Sequence, residues 1–449
     1  MLSDLPPELS SRILTFCYAK DLASFSQVST QTRDLVYATE DQYIWRSVFL
    51  NTFDDPRHAA EPRLGDFNWK KELQRRTTAR FIVSSSTDSE DAEQALRVFI
   101  DVVNEALPVT VADEDSKNIS WLDNLLLRSG FLDTFDSPLT RLHALVNLSH
   151  EESGEFNEER ELVLRDRRTN SRSYVYDLQN YHSENGWAPF TGDSTANWVH
   201  INHLIRVVLM NLRDVPTLWG RRPPLGLEAT RAYSAPGLRN PKVEDWAGVE
   251  GLWRRYVCFM DYRDLYGTFP CLRNHNLHWH LRCFYLAFNY SGIAGGPRSP
   301  KFFQDKRFRE ATRLIEVKLH LITRDQLKLP KLLAPDSESS SSSSKSTRPT
   351  LYFIGTSRGS SGNEATIEGS VSVGKDGCVR WHFVDIIQAT MYDGVTQWCS
   401  QGVQIGNIGS ASGVVGNWTT SLHDQGDPVG PFWLWKVEED SAPSLVDFT

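Results

Sequence analysis

The chain is poor in cysteine and has no paired cysteines. Six stand among 449 residues, at Cys17, Cys258, Cys271, Cys283, Cys378 and Cys399, and none are spaced C-x-x-C. Disulfide frameworks belong mainly to small secreted domains, so none is expected here. A basic surplus is also missing: 48 Lys and Arg face 57 Asp and Glu, for a net charge of −9. Neutralising phosphates takes a basic stripe, so a general nucleic-acid or polyanion binder is disfavoured. No apolar run reaches the roughly 18–20 residues that span a bilayer. Ser3, Asp4 and Glu8 interrupt the N-terminus before a signal-type apolar stretch forms. The chain therefore reads as intracellular, cytoplasmic or nuclear, without a membrane partner. The triplets Asn118-Ile119-Ser120 and Asn417-Trp418-Thr419 then read as chance glycosylation matches. No fixed-period repeat is visible, which argues against leucine-rich repeats and propellers. What is present is 40% hydrophobic and 23% charged, with material for a true core and length for two or three domains.

The first fifty residues carry the clearest pattern. Leu5-Pro6-Pro7-Glu8-Leu9 puts prolines where a helix can start. Leu9, Ile13 and Phe16, widened by Leu14 and Cys17, follow at helical spacing. Asp21 is a plausible N-cap for a second helix bearing Leu22, Phe25 and Val28, and Ser29 or Thr30 for a third bearing Leu35 and Val36. Ile44, Trp45, Val48 and Phe49 supply one more apolar face. Such a unit buries only about 60% of its unfolded surface. It must dock either on a partner or on the rest of the chain.

The order and spacing of Leu5-Pro6, Glu8-Leu9, Ile13-Leu14, Asp21-Leu22, Val28-Ser29, Arg33, Leu35 and Trp45-Arg46 resemble an F-box. Ser29 departs from the Cys frequent there; both are small. The resemblance covers residues 1–50 and implies a helix cluster that docks the Skp adaptor and, through it, a cullin–RING ubiquitin ligase. By that analogy Leu5 and Pro6 insert at the adaptor surface with Glu8 beside them. Leu9, Ile13, Leu14, Leu22 and Val28 supply the apolar interface and Trp45 closes the module. Some of these residues must form the module's own core, and the pattern does not say which.

Residues 51–312 read as a mainly helical linker and middle region. An amphipathic helix is expected around Asp66–Arg76, with Phe67 and Leu73 inward and Lys70, Lys71, Arg75 and Arg76 solvated. Further helices are expected at Glu90–Ala106, Trp121–Leu127, Leu139–Leu148, Trp198–Leu212 and Asp245–Leu265. Cys271, His275, His278, His280 and Cys283 invite a zinc reading. Neither helix nor strand spacing gathers all five, so a packed aromatic segment is the better reading. His200 and His203 are weaker metal candidates still. No metal and no cofactor are expected.

From Arg313 the period becomes two. Ile315, Val317, Leu319 and Leu321 alternate with polar residues, and Ile367 to Val373 and Cys378 to Phe383 flank a Gly374-Lys375-Asp376-Gly377 turn as a hairpin. A Ser-rich insertion at 336–348 lengthens a loop between strands. Its serines, with acidic neighbours, are candidate phosphate acceptors, although an inert linker is the simpler reading. Seven strands fit between Arg313 and Val437, with residues 438–449 as a tail. Dense glycines and five tryptophans from Trp381 onward suit the bends of a closing barrel or sandwich. The region is weakly similar to the β-barrel substrate-binding modules of some F-box proteins, and to fungal F-box proteins with a Gly/Trp-rich tail. Trp398, Trp418 and His382 are candidate substrate contacts, against the alternative that the tryptophans fill the core. Gly355-Thr356-Ser357-Arg358-Gly359 fits G-x-S-x-G, but no helix pattern follows it, as a nucleophile elbow requires.

The expected fold class is α+β: an F-box helix cluster, a helical middle and a C-terminal antiparallel β-barrel or β-sandwich. With no RING-type Cys/His array, the expected role is non-catalytic: an adaptor presenting a protein substrate to the ligase. The alternative is a β-barrel ligand-binding or scaffold protein whose F-box acts outside ubiquitin transfer.

Overall fold

Four short helices open the chain: α1 (Pro7–Leu14), α2 (Ala19–Ser26), α3 (Thr30–Tyr37) and α4 (Tyr43–Thr52). The computed structural model describes residues 5–38, 41–62, 65, 67–85, 89–110, 115–129, 132, 140–146, 158–214, 222–238, 243–260, 298–304, 308, 310–333, 348–359, 364–389, 392–424, 427–439 and 446–448. Proline in the first turn starts α1. Ser29 caps α3, its Oγ accepting the Thr32 N–H at 3.1 Å while Thr32 Oγ1 accepts the Ser29 N–H at 3.0 Å. Asp21 is not the cap of α2. It sits inside the first turn and its carboxylate accepts the Tyr18 N–H at 3.0 Å, so Tyr18 is the N-cap and the helix starts three residues earlier than its sequence suggests. Leu14, Leu22, Val36, Ile44, Trp45, Val48 and Phe49 form the core of this cluster.

Among the described residues six helices follow: α5 (Trp69–Ser85), α6 (Ser89–Asn104), α7 (Lys117–Ser129), α8 (Thr140–Val146), α9 (Glu158–Val175) and α10 (Trp198–Asp214). Leu73 points inward on α5 and Lys71 is exposed, as expected, but the arginines of the basic run do not form a solvated face. Arg76 is wholly buried, pairing with Glu72 and Glu105, and Arg75 pairs with Glu72 and Asp101. Helix α9 is a second departure: it is so rich in Arg, Glu and Asp that its sequence shows no strong apolar stripe.

Nine strands make the sheet: β1 (Gly251–Met260), β2 (Glu310–Ile322), β3 (Leu351–Arg358), β4 (Glu364–Val373), β5 (Val379–Ala389), β6 (Tyr392–Gln404), β7 (Val414–Thr420), β8 (Gly430–Val437) and β9 (Val446–Phe448). All pairings are antiparallel, in the order β1-β8-β7-β6-β5-β4-β3-β2-β9, and β1 also pairs β2. That last pairing closes eight strands into a barrel, and the Gly374–Gly377 turn joins β4 to β5. Where a helix is expected at Asp245–Leu265, the described residues form a 3-10 turn ending at Asp245 and then β1, and residues 261–265 lie outside the described ones. Leu-Trp-Arg-Arg-Tyr-Val-Cys-Phe-Met carries large side chains on both faces, so neither period stands out, and burial on both sides of a closed sheet decides for strand. The sheet thus draws one strand from the middle region and one from the C-terminal tail.

All eight barrel strands feed one interior. Trp253 and Val257, Val317 and Leu319, Leu351 and Phe353, Ile367 and Val371, Trp381 and Phe383, Val414, Phe432 and Leu434 belong to a single buried cluster, with Trp398 of β6 packed against it. Aromatic rings cross the lumen in sequence: Trp253 to Trp381 at 5.1 Å, Trp381 to Phe353 at 5.6 Å and Phe383 to Phe432 at 5.5 Å. The strand glycines make room for these rings. A Cβ on Gly369 would stand 2.2 Å from Phe353, and one on Gly402 would stand 3.0 Å from Phe432. The β5–β6 ladder shifts register twice, between Asp385 and Ile386 and between Ile387 and Ala389, as bulged strands that bend do.

Arg255 also points into the lumen. Its guanidinium lies 4.9 Å from the Phe383 ring and 5.3 Å from the Phe432 ring, donating to Asp385 at 2.9 Å and to Ser400 Oγ at 2.6 Å. Removing Asp385 alone leaves a buried cation unpaired, so Asp385→Ala is expected to cost about 3–5 kcal/mol in urea unfolding. Adding Arg255→Met should recover most of that loss, because the pair then leaves together.

The outer face is covered as thoroughly. Tyr256, Cys258, Val403, Val415, Trp433 and Trp435 share a cluster with Ile201, Leu204, Ile205 and Val208 of α10 and with the apolar sides of α6 and α7. Arg172 of α9 pairs with Glu310 of β2 at 2.7 Å. On another side, residues after β2 lie across β4, β5 and β6: Leu327 and Leu333 pack on Val384, Ile386 and Cys399, and Glu368 accepts the Lys328 and Leu329 N–H groups. The helical middle and the barrel therefore share one core.

Candidate docking face and the aromatic end of the barrel

The N-terminal cluster divides its apolar residues in two. Leu14, Leu22 and Trp45 are spent in its own core. Leu5, Pro6, Glu8, Leu9, Ile13 and Val28 are exposed, as are Phe16 and Tyr18. Leu9 is 53% exposed, Ile13 47%, Phe16 73% and Val28 73%. Leu9, Ile13 and Phe16 follow one another at helical spacing along α1 and just past its end, and Val28 closes the turn after α2. Lone exposed apolar residues are ordinary, but a row of this length on so small a unit is a candidate interaction surface.

This face is fixed to the body. The buried Asp54 carboxylate, just after α4, accepts the Leu107 and Lys117 N–H groups, both at 2.9 Å, and the Ser116 hydroxyl. The Asp54 N–H donates to Asn118 Oδ1 at 3.0 Å, and Asn118 Nδ2 donates to the Val102 carbonyl. Arg76 reaches the same Asn118 oxygen at 3.2 Å. Lys117 Nζ donates to the Leu50 carbonyl at 2.7 Å. No sequence pattern marks this joint, since Asp54, Arg76, Glu105 and Asn118 are far apart in the chain and ordinary in type.

At the barrel, Trp398 and Trp418 meet edge to face at 5.0 Å, and Phe259 meets Trp418 at 6.4 Å. The Trp418 indole N–H donates to the Cys258 carbonyl at 3.1 Å. Arg313 lies over the Phe259 ring at 5.3 Å. These four side chains share the inward phase of their strands and mark one end of the lumen. At the opposite end Trp246 and Ile408 join the interior cluster, with Tyr233 packed against it. His382 is not with the tryptophans. It stands on the outward phase of β5, its Nε2 3.2 Å from Cys399 Sγ, and burial holds it at a pKa of about 4.

Ser357 of the G-x-S-x-G motif lies within β3, paired with Val317, so no strand-to-helix elbow forms there. Cys271, His275, His278, His280 and Cys283 lie outside the described residues, as does most of the Ser-rich insertion. Among the described residues no group of three or more His, Cys, Asp or Glu is placed to hold a metal ion, and no helix is long and apolar enough to cross a membrane.

His200 has a structural place. Its Nε2 meets Tyr181 Oη at 3.1 Å, and that hydroxyl donates its own proton to the Val175 carbonyl, so the imidazole is the donor. Burial lowers its pKa to about 3. A histidine buried neutral binds fewer protons folded than unfolded between its two pKa values. Its contribution is complete above about pH 6.5 and is lost as pH falls toward the folded value. Urea unfolding followed from pH 7 to pH 4 should therefore show falling stability, by up to about 1.4 kcal/mol per pH unit from this residue. His200→Gln should flatten that part of the slope.

Residues 2–51 match the F-box-like family model. No curated protein matches the chain, and no solved structure does.

Proposed function

We propose that this chain is a substrate-recognition subunit of a Skp–cullin–F-box ubiquitin ligase. The carrying observation is the partition within residues 2–51. An F-box-like sequence folds on its own apolar core and leaves Leu5, Leu9, Ile13, Phe16 and Val28 on the outside. Burying that row against an adaptor removes apolar surface from water at about 25 cal/mol per Å². The buried Asp54 and Arg76 joint supports the second half of the reading. A docking face held rigidly to a large body can present whatever the body binds in a fixed place, raising the effective concentration of a target lysine near a charged ubiquitin carrier. The barrel end at Trp398, Trp418 and Phe259 is the proposed substrate side, and the chain supplies no chemistry of its own.

The test is co-expression with a Skp adaptor, followed by size-exclusion chromatography and pull-down. A stoichiometric complex is expected, and Leu5→Ala with Pro6→Ala should weaken it while the near-ultraviolet dichroism of the barrel tryptophans stays unchanged. A soluble monomer that ignores the adaptor would overturn the proposal. The second half is read from protein turnover: cellular targets should accumulate when the chain is deleted.

A further inference from the structure

Strand β2 is longer than its partner on one side. On one edge β1 accompanies it from Glu310 to Leu319, but on the other β3 covers only Glu316 to Ile322. Over 310–315 that second edge would present unpaired N–H and C=O groups beside the aromatic end of the barrel. Free backbone of this kind is a template for another strand. The chain fills it with its own C-terminus: Val446, Asp447 and Phe448 pair antiparallel with Leu314, Arg313 and Thr312. A three-residue strand gains little and opens readily.

We propose that this β2 edge is where an extended segment of the protein substrate adds as a strand, and that Val446–Phe448 is a resident strand which the substrate displaces. This rests on the substrate-receptor reading and narrows it to a substrate class. The resident sequence gives the chemistry: an apolar residue, a carboxylate and an apolar residue. The backbone register sets Asp447 opposite Arg313, the inward-phase cation over Phe259, and sets Val446 and Phe448 opposite Leu314 and Thr312, two residues of the outward phase of β2. Leu314 belongs to the large outer core cluster, so apolar partners suit that face. The favoured segment is therefore extended and acidic at its centre, with apolar residues on either side of the acid.

The probe is a fluorescent peptide of residues 440–449. A tethered strand at an effective concentration of order 1 mM suppresses a competitor of about 10 μM affinity roughly 100-fold. A chain ending at Glu439 should accordingly bind the peptide, and the full chain should bind it about 100-fold more weakly. Arg313→Glu in the shortened chain should lose at least tenfold, and a peptide with lysine in place of the aspartate should recover it. On the full chain, hydrogen exchange with excess peptide should deprotect the amides of Val446–Phe448 while Thr312–Leu314 stay protected. Failure of the peptide to bind a folded shortened chain, or tail amides that stay protected under saturating peptide, would overturn the proposal. Adaptor co-purification is read on the same samples. A chain that holds the adaptor but not the peptide fails this inference alone, and one that ignores the adaptor fails the receptor reading.

Discussion

Leu9→Asp combined with Ile13→Asp is expected to weaken the adaptor complex by at least about 100-fold while leaving the chain as stable as before. Both side chains stand about half exposed on α1, so neither is needed by the core beneath. In solution the two carboxylates stay hydrated, and surface changes of this type usually alter stability by about 0.5 kcal/mol or less. In a complex they would be carried into an apolar interface. A hundredfold loss is about 2.7 kcal/mol, within what two misplaced carboxylates plus the lost apolar contacts supply. Leu22→Asp is the contrasting case. Leu22 is fully buried in the module core, so that variant should lose the adaptor by unfolding the cluster. Circular dichroism on the two variants separates the explanations: binding lost with helix content intact for the pair on α1, and both lost for Leu22→Asp. Unchanged adaptor affinity in a folded Leu9→Asp, Ile13→Asp chain would show that this face is not the docking surface.

The contrast between Leu9 and Leu22 also marks how far the sequence could be read. The helical period of residues 5–50 was legible because small helices repeat apolar residues every three to four positions. Which side faced inward was not, since both sides are apolar and only the packing of α1 to α4 decides. Strand β2 and the β4–β5 hairpin were legible for the matching reason: Ile315 to Leu321 and Val379 to Phe383 alternate cleanly, and the turn at Gly374–Gly377 bounds the hairpin, whereas β6 to β8 were expected only as strands somewhere in a Gly- and Trp-rich stretch. Strand β1 escaped because Trp253 and Tyr256 are both buried, one in the lumen and one beneath the helices, and burial on two faces erases the period. Inward placement of Trp418 and the lumen position of Arg255 follow from closure, a property of eight strands together and of no one segment. The joint at Asp54 and Arg76 was illegible for a further reason. Its members are drawn from four separate segments, and charged residues in sequence ordinarily signify solvent.

That joint supplies the other large effect. Arg76 is fully buried, with Nε 2.9 Å from Glu72, Nη1 3.2 Å from Asn118 Oδ1 and Nη2 paired with Glu105. The Phe49 and Phe53 rings lie 4.8 and 4.5 Å from its guanidinium carbon. One side chain thus ties α4 to α5 and, through Asn118, to α7. Arg76→Ala removes the cation and leaves the Glu105 carboxylate buried without it. Glu72 keeps Arg75, so the loss falls on Glu105. Breaking a buried pair from one side costs about 3–5 kcal/mol, and that is the expected drop in urea unfolding. Arg76→Lys should recover little, because an ammonium cannot reach three separate acceptors as the planar fork does. Arg76→Met with Glu105→Leu should recover much of it, since no buried charge is then stranded. The functional consequence follows from position. Loosening the joint should leave the exposed row of α1 able to meet the adaptor, yet release the segment between Thr52 and Trp69 to proteolysis and let the barrel end wander relative to the docking face. Adaptor pull-down should therefore persist in Arg76→Ala, while limited proteolysis at residues 53–68 rises and ubiquitin transfer to a bound substrate falls. Unfolding at the wild-type urea midpoint, with that segment still protected, would show that the buried arginine does not hold the two parts in register.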